Sequence, residues 1–170
     1  MQRVAVIGSG GAGKSTLARQ LGERLGLEVI HLDHLFWNPG WEPAPADRWR
    51  AIQTRLVQGE RWVMDGNYGA TLPIRVAAAD TVVFVDLPRR ITISRAVARW
   101  WRSRGREVHA FGCPERLDRE FLLWMWRFRR VSRPIVLAAL AEHTTGGATV
   151  VRLRSREDVA RFLDGVEAQT

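Results

Sequence analysis

Residues 8–15 read Gly8-Ser9-Gly10-Gly11-Ala12-Gly13-Lys14-Ser15, and their reading decides the fold. They fit the pattern G-x-x-x-x-G-K-[ST] without a gap. Before them, Arg3 to Ile7 carries the apolar run V-A-V-I of a short buried strand. After them, Thr16 to Leu25 places Leu17, Leu21 and Leu25 on one helical face. A strand, a glycine loop and a helix form the context that this pattern requires. Glycines let the backbone turn sharply and aim its N–H groups at an anion. The helix N-terminus adds the positive end of its dipole. The expected contacts to a nucleotide's phosphates come from Gly8, Gly10, Gly11, Ala12, Gly13, Lys14, Ser15 and Thr16. Lys14 reaches the β- and γ-phosphates and the Ser15 hydroxyl is a ligand for Mg²⁺. Lys14 is also the only lysine, the other basic residues all being arginine.

Outward from the loop, strands and helices alternate. Gly26 ends the first helix. Glu28 to Leu32 is the second expected strand, followed by Asp33 and the turn Trp37-Asn38-Pro39-Gly40-Trp41. Asp47 is a plausible N-cap for a helix from Arg48 to Gln58. Arg61 to Met64 is a strand, followed by Asp65-Gly66. Thr71 to Ala78 is a short helix or turn carrying Arg75. Thr81 to Val85 is continuous and β-branched, like a strand buried on both faces. It leads through Asp86-Leu87-Pro88 into a helix from Arg89 toward Trp101. Residues 102–113 form a loop. A helix resumes near Glu115 and breaks before Pro134, and a shorter one covers Ile135 to Leu140. Thr144 to Gly147 is a turn. Ala148 to Leu153 is the last strand, and Ser155 to Asp158 resembles a capping box.

The pattern predicts one domain over residues 1–170, an α/β three-layer sandwich with about five parallel strands. Two connections are too long for simple crossovers. Residues 35–59 are expected to form an acceptor-binding insertion, and residues 99–143 a helical, arginine-rich lid with its following helices. In open α/β sheets ligands sit beyond the carboxyl ends of strands, which aims Asp33 at the phosphate site.

Composition bounds the class. A single cysteine, Cys113, excludes an internal disulfide, and no apolar run approaches membrane-spanning length. The first strand begins at once and leaves no room for a signal peptide, so a cytoplasmic protein is expected. The net charge is +8, and residues 99–133 hold ten arginines against four acidic residues. Such a segment can grip phosphates or nucleic acid, or simply be a solvated helix.

The sequence resembles nucleoside-monophosphate kinases of the adenylate-kinase type, through residues 8–16, Asp65-Gly66, and residues 79–88 leading to Arg95 and Arg99. It resembles still more the small bacterial adenylate-kinase-related proteins known as DNA topology modulation proteins. The stretches that carry this likeness are H-L-D-H-L-F-W-N-P-G-W (31–41), W-V-M-D-G-N-Y (62–68) and G-C-P-E-R (112–116). The resemblance implies ATP and Mg²⁺ as cofactors, with Asp65 in the magnesium shell and Arg95 and Arg99 facing adenine and phosphates. It departs at Gly69, where those kinases carry an arginine for the acceptor's phosphate; Arg75 is the candidate substitute. The lone cysteine excludes a zinc-bound lid.

The resulting expectation is ATP-dependent phosphoryl transfer to a small acceptor, with a nucleoside or nucleotide favoured. Lys14 steadies the transferred group, Asp33 orients or deprotonates an acceptor hydroxyl, and Ser15 and Asp65 hold the metal. Arg99 closes over the phosphates with Arg95 and either Arg127 or Arg130. Asp33, Trp37, Trp41, Asp65 and Arg75 border the acceptor, and Trp37 and Trp41 are read either as a local core or as a stacking surface. Asp86 is read either as an outer magnesium contact or as a turn residue. The alternatives are a kinase of a non-nucleotide metabolite and a nucleic-acid-binding regulator that uses Trp100, Trp101, Trp124 and Trp126 to stack bases.

Overall fold

The computed structural model describes residues 1–103, 113–114, 117–144 and 148–166. The loop expected at 102–113 and the turn at 144–147 therefore fall largely outside the described residues.

Five parallel strands form the main sheet: β1 (Arg3–Gly8), β2 (Val29–His31), β5 (Trp62–Asp65), β6 (Thr81–Val85) and β7 (Thr149–Leu153), in the order β2-β5-β1-β6-β7. Between β2 and β5 lie a one-turn helix α2 (Asp33–Phe36), a two-stranded antiparallel hairpin of β3 (Trp37–Asn38) and β4 (Glu42–Pro43), and helix α3 (Ala46–Leu56). The remaining helices are α1 (Lys14–Leu25), α4 (Leu72–Ala78), α5 (Arg89–Arg102), α6 (Arg119–Arg127), α7 (Ser132–Thr144) and α8 (Arg156–Asp164).

The central strand shows why the sheet has two faces. In β1, Val4 and Val6 pack with Leu17 and Leu21 of α1, while Ala5 and Ile7 pack against the opposite layer with Val136 and Leu140 of α7. Successive side chains of a strand point to opposite faces, so a strand covered on both sides must be apolar throughout. A third, smaller cluster of Leu32, Ala44 and Trp49, joined by Phe36 and Tyr68, forms the core of the 35–59 insertion.

The expected sheet is present, and Thr81–Val85 matches in both bounds. Helix boundaries differ in instructive ways. The third helix begins at Ala46 behind Pro45, so Asp47 is a first-turn residue and not the N-cap. Proline fixes its own φ and lets the helix start directly after it. The helix placed near Glu115 starts at Arg119, because the Asp118 side chain accepts from Phe121 N at 2.8 Å. The helix placed at 135–140 runs from Ser132 to Thr144. Pro134 sits in its first turn, where the missing N–H costs nothing. The capping box at Ser155 and Asp158 is present with both reciprocal bonds.

Candidate functional site

All five strands of the sheet are parallel, so their carboxyl ends share one edge, and the 8–15 loop leaves from that edge at the centre. The loop is held from behind by α5. A Cβ on Gly11 would lie 2.1 Å from the Thr92 carbonyl oxygen, and its φ of +69° also favours glycine. Arg95, one turn past Thr92 on α5, donates from Nη1 to the Ala12 carbonyl at 3.3 Å. Lys14 lies in the first turn of α1 and folds back, its Nζ donating to Ser9 O at 3.0 Å. Burial pushes the Lys14 pKa down, and the positive charge of Arg99 adds to this. Asp33 and Asp65 act in the opposite sense. Arg99 and both carboxylates therefore lie close enough to act on one ammonium.

Strand register explains how Asp65 reaches this point. It closes β5, opposite Val6 of β1 on one side and His31 of β2 on the other. His31 Nδ1 lies 2.9 Å from Asp65 Oδ1, and Asp65 is buried at 4% exposure. Burial works to raise the Asp65 pKa. The hydrogen bonds with His31 and Ser15 and the charges of Lys14 and His31 outweigh it, and the carboxyl is held below its ordinary value. The hydrogen bond to Asp65 holds His31 above its own.

Asp33 opens α2 just past β2. Its Oδ1 accepts from the Tyr68 hydroxyl at 2.5 Å. Phe36, Trp49 and Tyr68 make mutual ring contacts at 4.6–5.0 Å. Trp37 and Trp41 meet edge-to-face at 5.4 Å. Trp41 Nε1 donates to Pro114 O at 3.0 Å, and Cys113 Sγ donates to Asn38 O at 3.2 Å. The hairpin is thus tied to the segment that precedes α6.

Two expectations change. Arg75 does not meet a phosphate in this fold, because its side chain is 1% exposed. Its guanidinium donates to Gln53 Oε1, to Thr71 Oγ1 at 3.3 Å and to Gly66 O at 3.4 Å. Burial lowers its pKa to about 10, so the group stays charged at neutral pH and pins the turn between Asp65 and Tyr68. Asp86 is more than a turn residue, for it is paired with two arginines. Arg133 Nε lies 3.0 Å from its Oδ1 and Arg152 Nη2 lies 2.5 Å from its Oδ2. These pairs bind the end of β6 to α7 and β7.

The sequence alone points to neither His31 nor Tyr68. The signal for His31 was the parallel register, which puts the last residue of β2 beside the last residue of β5. Tyr68 lies three residues past Asp65, and only the folded turn brings it to Asp33. Among the described residues no cluster of three or more His, Cys, Asp or Glu side chains is placed to hold a metal by itself. Ser15 and Asp65 offer the hard oxygen donors that Mg²⁺ takes alongside phosphate oxygens, and the Ser15 hydroxyl helps to hold the Asp65 carboxyl below its ordinary value.

Fold and loop together define the class: a P-loop kinase fold. The solved structures it resembles include shikimate kinase from Acinetobacter baumannii in complex with shikimate, with a TM-score of 0.65 and 16% identity over 96% of this chain and 89% of that one. A sugar kinase from Janibacter sp. HTCC2649 gives a TM-score of 0.56 at 18% identity, covering 96% and 93%. Shikimate kinase from Aquifex aeolicus vf5 gives 0.56 at 16%, covering 95% and 93%. At such identities the likeness establishes the fold alone. In sequence the chain is 25% identical to the Bacillus subtilis (strain 168) protein YqaC, described as uncharacterized, over 96% of each chain. No family model matches. Among the described residues no helix is long and apolar enough to cross a membrane.

Proposed function

We propose that this chain transfers the γ-phosphoryl group of ATP to a hydroxyl of a small acceptor. The observation that carries the reading is the phosphate loop itself, with Lys14 Nζ folded onto Ser9 O at 3.0 Å, on the sheet edge where β5 ends in the buried Asp65. Phosphoryl transfer asks mainly for positioning and for neutralising charge on the moving group. Lys14 and Arg99 supply the positive charge. Asp33, fixed by Tyr68 at 2.5 Å, accepts the acceptor's hydroxyl hydrogen and aims its oxygen at phosphorus. Ser15 and Asp65 would hold Mg²⁺, which would supply positive charge to the phosphates. Trp37 and Trp41 border the acceptor, and Arg95 faces the nucleotide from behind the loop.

A nucleoside or nucleotide acceptor is the first choice, on the resemblance to adenylate-kinase-type and DNA topology modulation proteins. A non-nucleotide hydroxylated metabolite follows closely. It gains support from the withdrawal of Arg75 into the interior, and the solved neighbours include kinases of shikimate and sugars. An ADP-release screen across nucleosides, nucleoside monophosphates and hydroxylated metabolites tests the reading. Acceptor-dependent release should vanish in Lys14→Ala while the fold persists. Full activity in that variant would sink the assignment.

A nucleic-acid surface is the second reading. It is favoured by Trp126, 52% exposed with the Arg89 guanidinium 3.8 Å above its ring. Binding of that kind weakens steeply as salt rises. Sequence-selective DNA binding that survives physiological salt, with ATP turnover unchanged in Arg99→Ala, would put this reading first.

A further inference from the structure

The pattern G-x-x-x-x-G-K-[ST] demands glycine only at positions 8 and 13 of this chain. Positions 10 and 11 are glycine as well, and each needs its own reason. Gly11 is explained by its φ of +69° and by the Thr92 carbonyl. Gly10 is different, for it is absent from the positive-φ glycines, so its backbone does not require glycine. What a side chain there would meet is α6. A Cβ on Gly10 would lie 2.8 Å from Cζ of Phe121, 3.3 Å from its Cε2, and 3.3 Å from Cζ3 of Trp124.

Helix α6 is built to hold those two rings in place. Asp118 caps it at the Phe121 amide, and Met125 and Phe128 are buried at 1% and 4% exposure, Phe128 in the main core. Phe121 and Trp124 stand three residues apart, on one face. Their rings stack with centroids 5.8 Å apart at 22°, and Phe128 supports Trp124 edge-on at 5.8 Å. Trp124 retains 38% exposure, so the pair has the loop on one side and solvent on the other. Lys14 Nζ rests on Ser9 O at 3.0 Å. A loop lysine of this type reaches the β- and γ-phosphates, which makes Ser9–Gly10 the part of the loop nearest the terminal phosphate.

We infer that Phe121 and Trp124 form the water-excluding wall of the terminal-phosphate site, and that residue 10 carries no side chain so that this wall can close against the loop. The inference rests on the kinase reading above. The unwanted reaction is defined: a water oxygen bonds to the γ-phosphorus, the bond from phosphorus to the oxygen of ADP breaks, and a proton leaves to solvent. Its products are ADP and inorganic phosphate. A dry apolar wall removes the water without touching the charges that assist transfer. Phe121 and Trp124 are positioning residues in this scheme and act on no bond themselves.

The test uses the full chain with MgATP and no added acceptor, reading inorganic phosphate release, and a non-hydrolysable ATP analogue, reading affinity. Phe121→Ala should raise acceptor-free phosphate release by about threefold or more, with analogue affinity changed less than that. Phe121→Leu serves in its place if the alanine variant does not fold. Gly10→Ala should weaken analogue binding, and adding Phe121→Ala should recover much of the loss, the non-additivity expected of side chains in contact. Unchanged or reduced phosphate release in a folded Phe121 variant that still binds the analogue overturns the wall. Additive losses in the double variant overturn the contact with Gly10. A wild-type chain that binds no ATP analogue overturns the kinase reading itself. Thermal unfolding of the same three variants then still reports whether residues 10 and 121 touch.

Discussion

Asp65 and Asp86 occupy matching places, at or just past the ends of the two strands that flank β1. Both are buried, at 4% and 7% exposure, and yet they do opposite work. Asp86 is closed off by Arg133 and Arg152, whose side chains are 21% and 29% exposed and come from the elements packed behind it. Its charge is neutralised within the frame, and it fixes α7 and β7 to the sheet. Asp65 meets no arginine among the described residues: the His31 imidazole lies 2.9 Å from its Oδ1, and the Ser15 hydroxyl and the Lys14 ammonium help to hold its carboxyl ionised. A carboxylate held that way faces the loop and can exchange those partners for a ligand. Placement at a strand end therefore does not define a functional aspartate. What its charge is already committed to does.

Asp33 belongs with Asp65 in this comparison, and it should give the largest effect. Asp33→Asn keeps the shape and can still accept from Tyr68, but it cannot take a proton. Acceptor phosphorylation should fall by ~10²-fold or more, the usual scale for a positioned base. ATP affinity should hold. Steady-state kinetics together with analogue binding separate the two, and a loss confined to ATP affinity would move Asp33 out of the acceptor site.

The sharper contrast is between Asp65→Asn and Asp86→Asn. On the proposed reading, Asp65→Asn raises the magnesium concentration needed for tight ATP-analogue binding, measured by calorimetry across a metal titration. Asp86→Asn should leave that titration unchanged and lower unfolding stability by about 2 kcal/mol in denaturant melts. This is below the range for a fully buried ion pair, because both arginines keep some access to water. Identical magnesium titrations for wild type and Asp65→Asn would erase the distinction.

How much of this could be read before folding depends on range. The phosphate loop, the strand runs and the Ser155 capping box are local patterns, and local chemistry fixes each of them. The site is assembled from contacts that sequence spacing does not encode. Asp65 and His31 are 34 residues apart and meet only because β2 and β5 are neighbours in parallel register. The inward turn of Arg75 depends on Gln53 of α3, 22 residues away. The spacing from Asp65 to Arg75 made it look like a substitute for the arginine absent at Gly69. A buried amide on another helix offered it a partner that no linear pattern announces. The aromatics of α6 were ambiguous for the same reason: helical spacing shows that they share a face, not that this face meets Gly10.

Asp80 provides the smallest effect and a control outside the site, since it too sits beside a strand, at the opposite edge of the sheet. It precedes β6, and its Oδ2 accepts from the amides of Gln2 and Arg3 at 2.7 and 2.8 Å. Thr81 Oγ1 adds a bond to Oδ1 at 2.8 Å. Partial burial acts to raise its pKa, but the amide and hydroxyl donors outweigh that and hold it below its ordinary value. The sign of the linkage follows. A depressed carboxyl contributes stability that is fully present above its unfolded pKa of 3.8 and is lost as pH falls through the folded value. Asp80→Ala should cost about 1 kcal/mol at neutral pH, the scale of an ordinary hydrogen bond, since the freed amides at the chain's start can turn to water. Below that window, in acid melts, the variant and the wild type should converge. ATP-analogue binding and phosphate release should be untouched, because Asp80 lies at the end of β6 remote from the loop. A difference in stability that persists unchanged into acid would mean that Asp80 acts through shape and not through its charge.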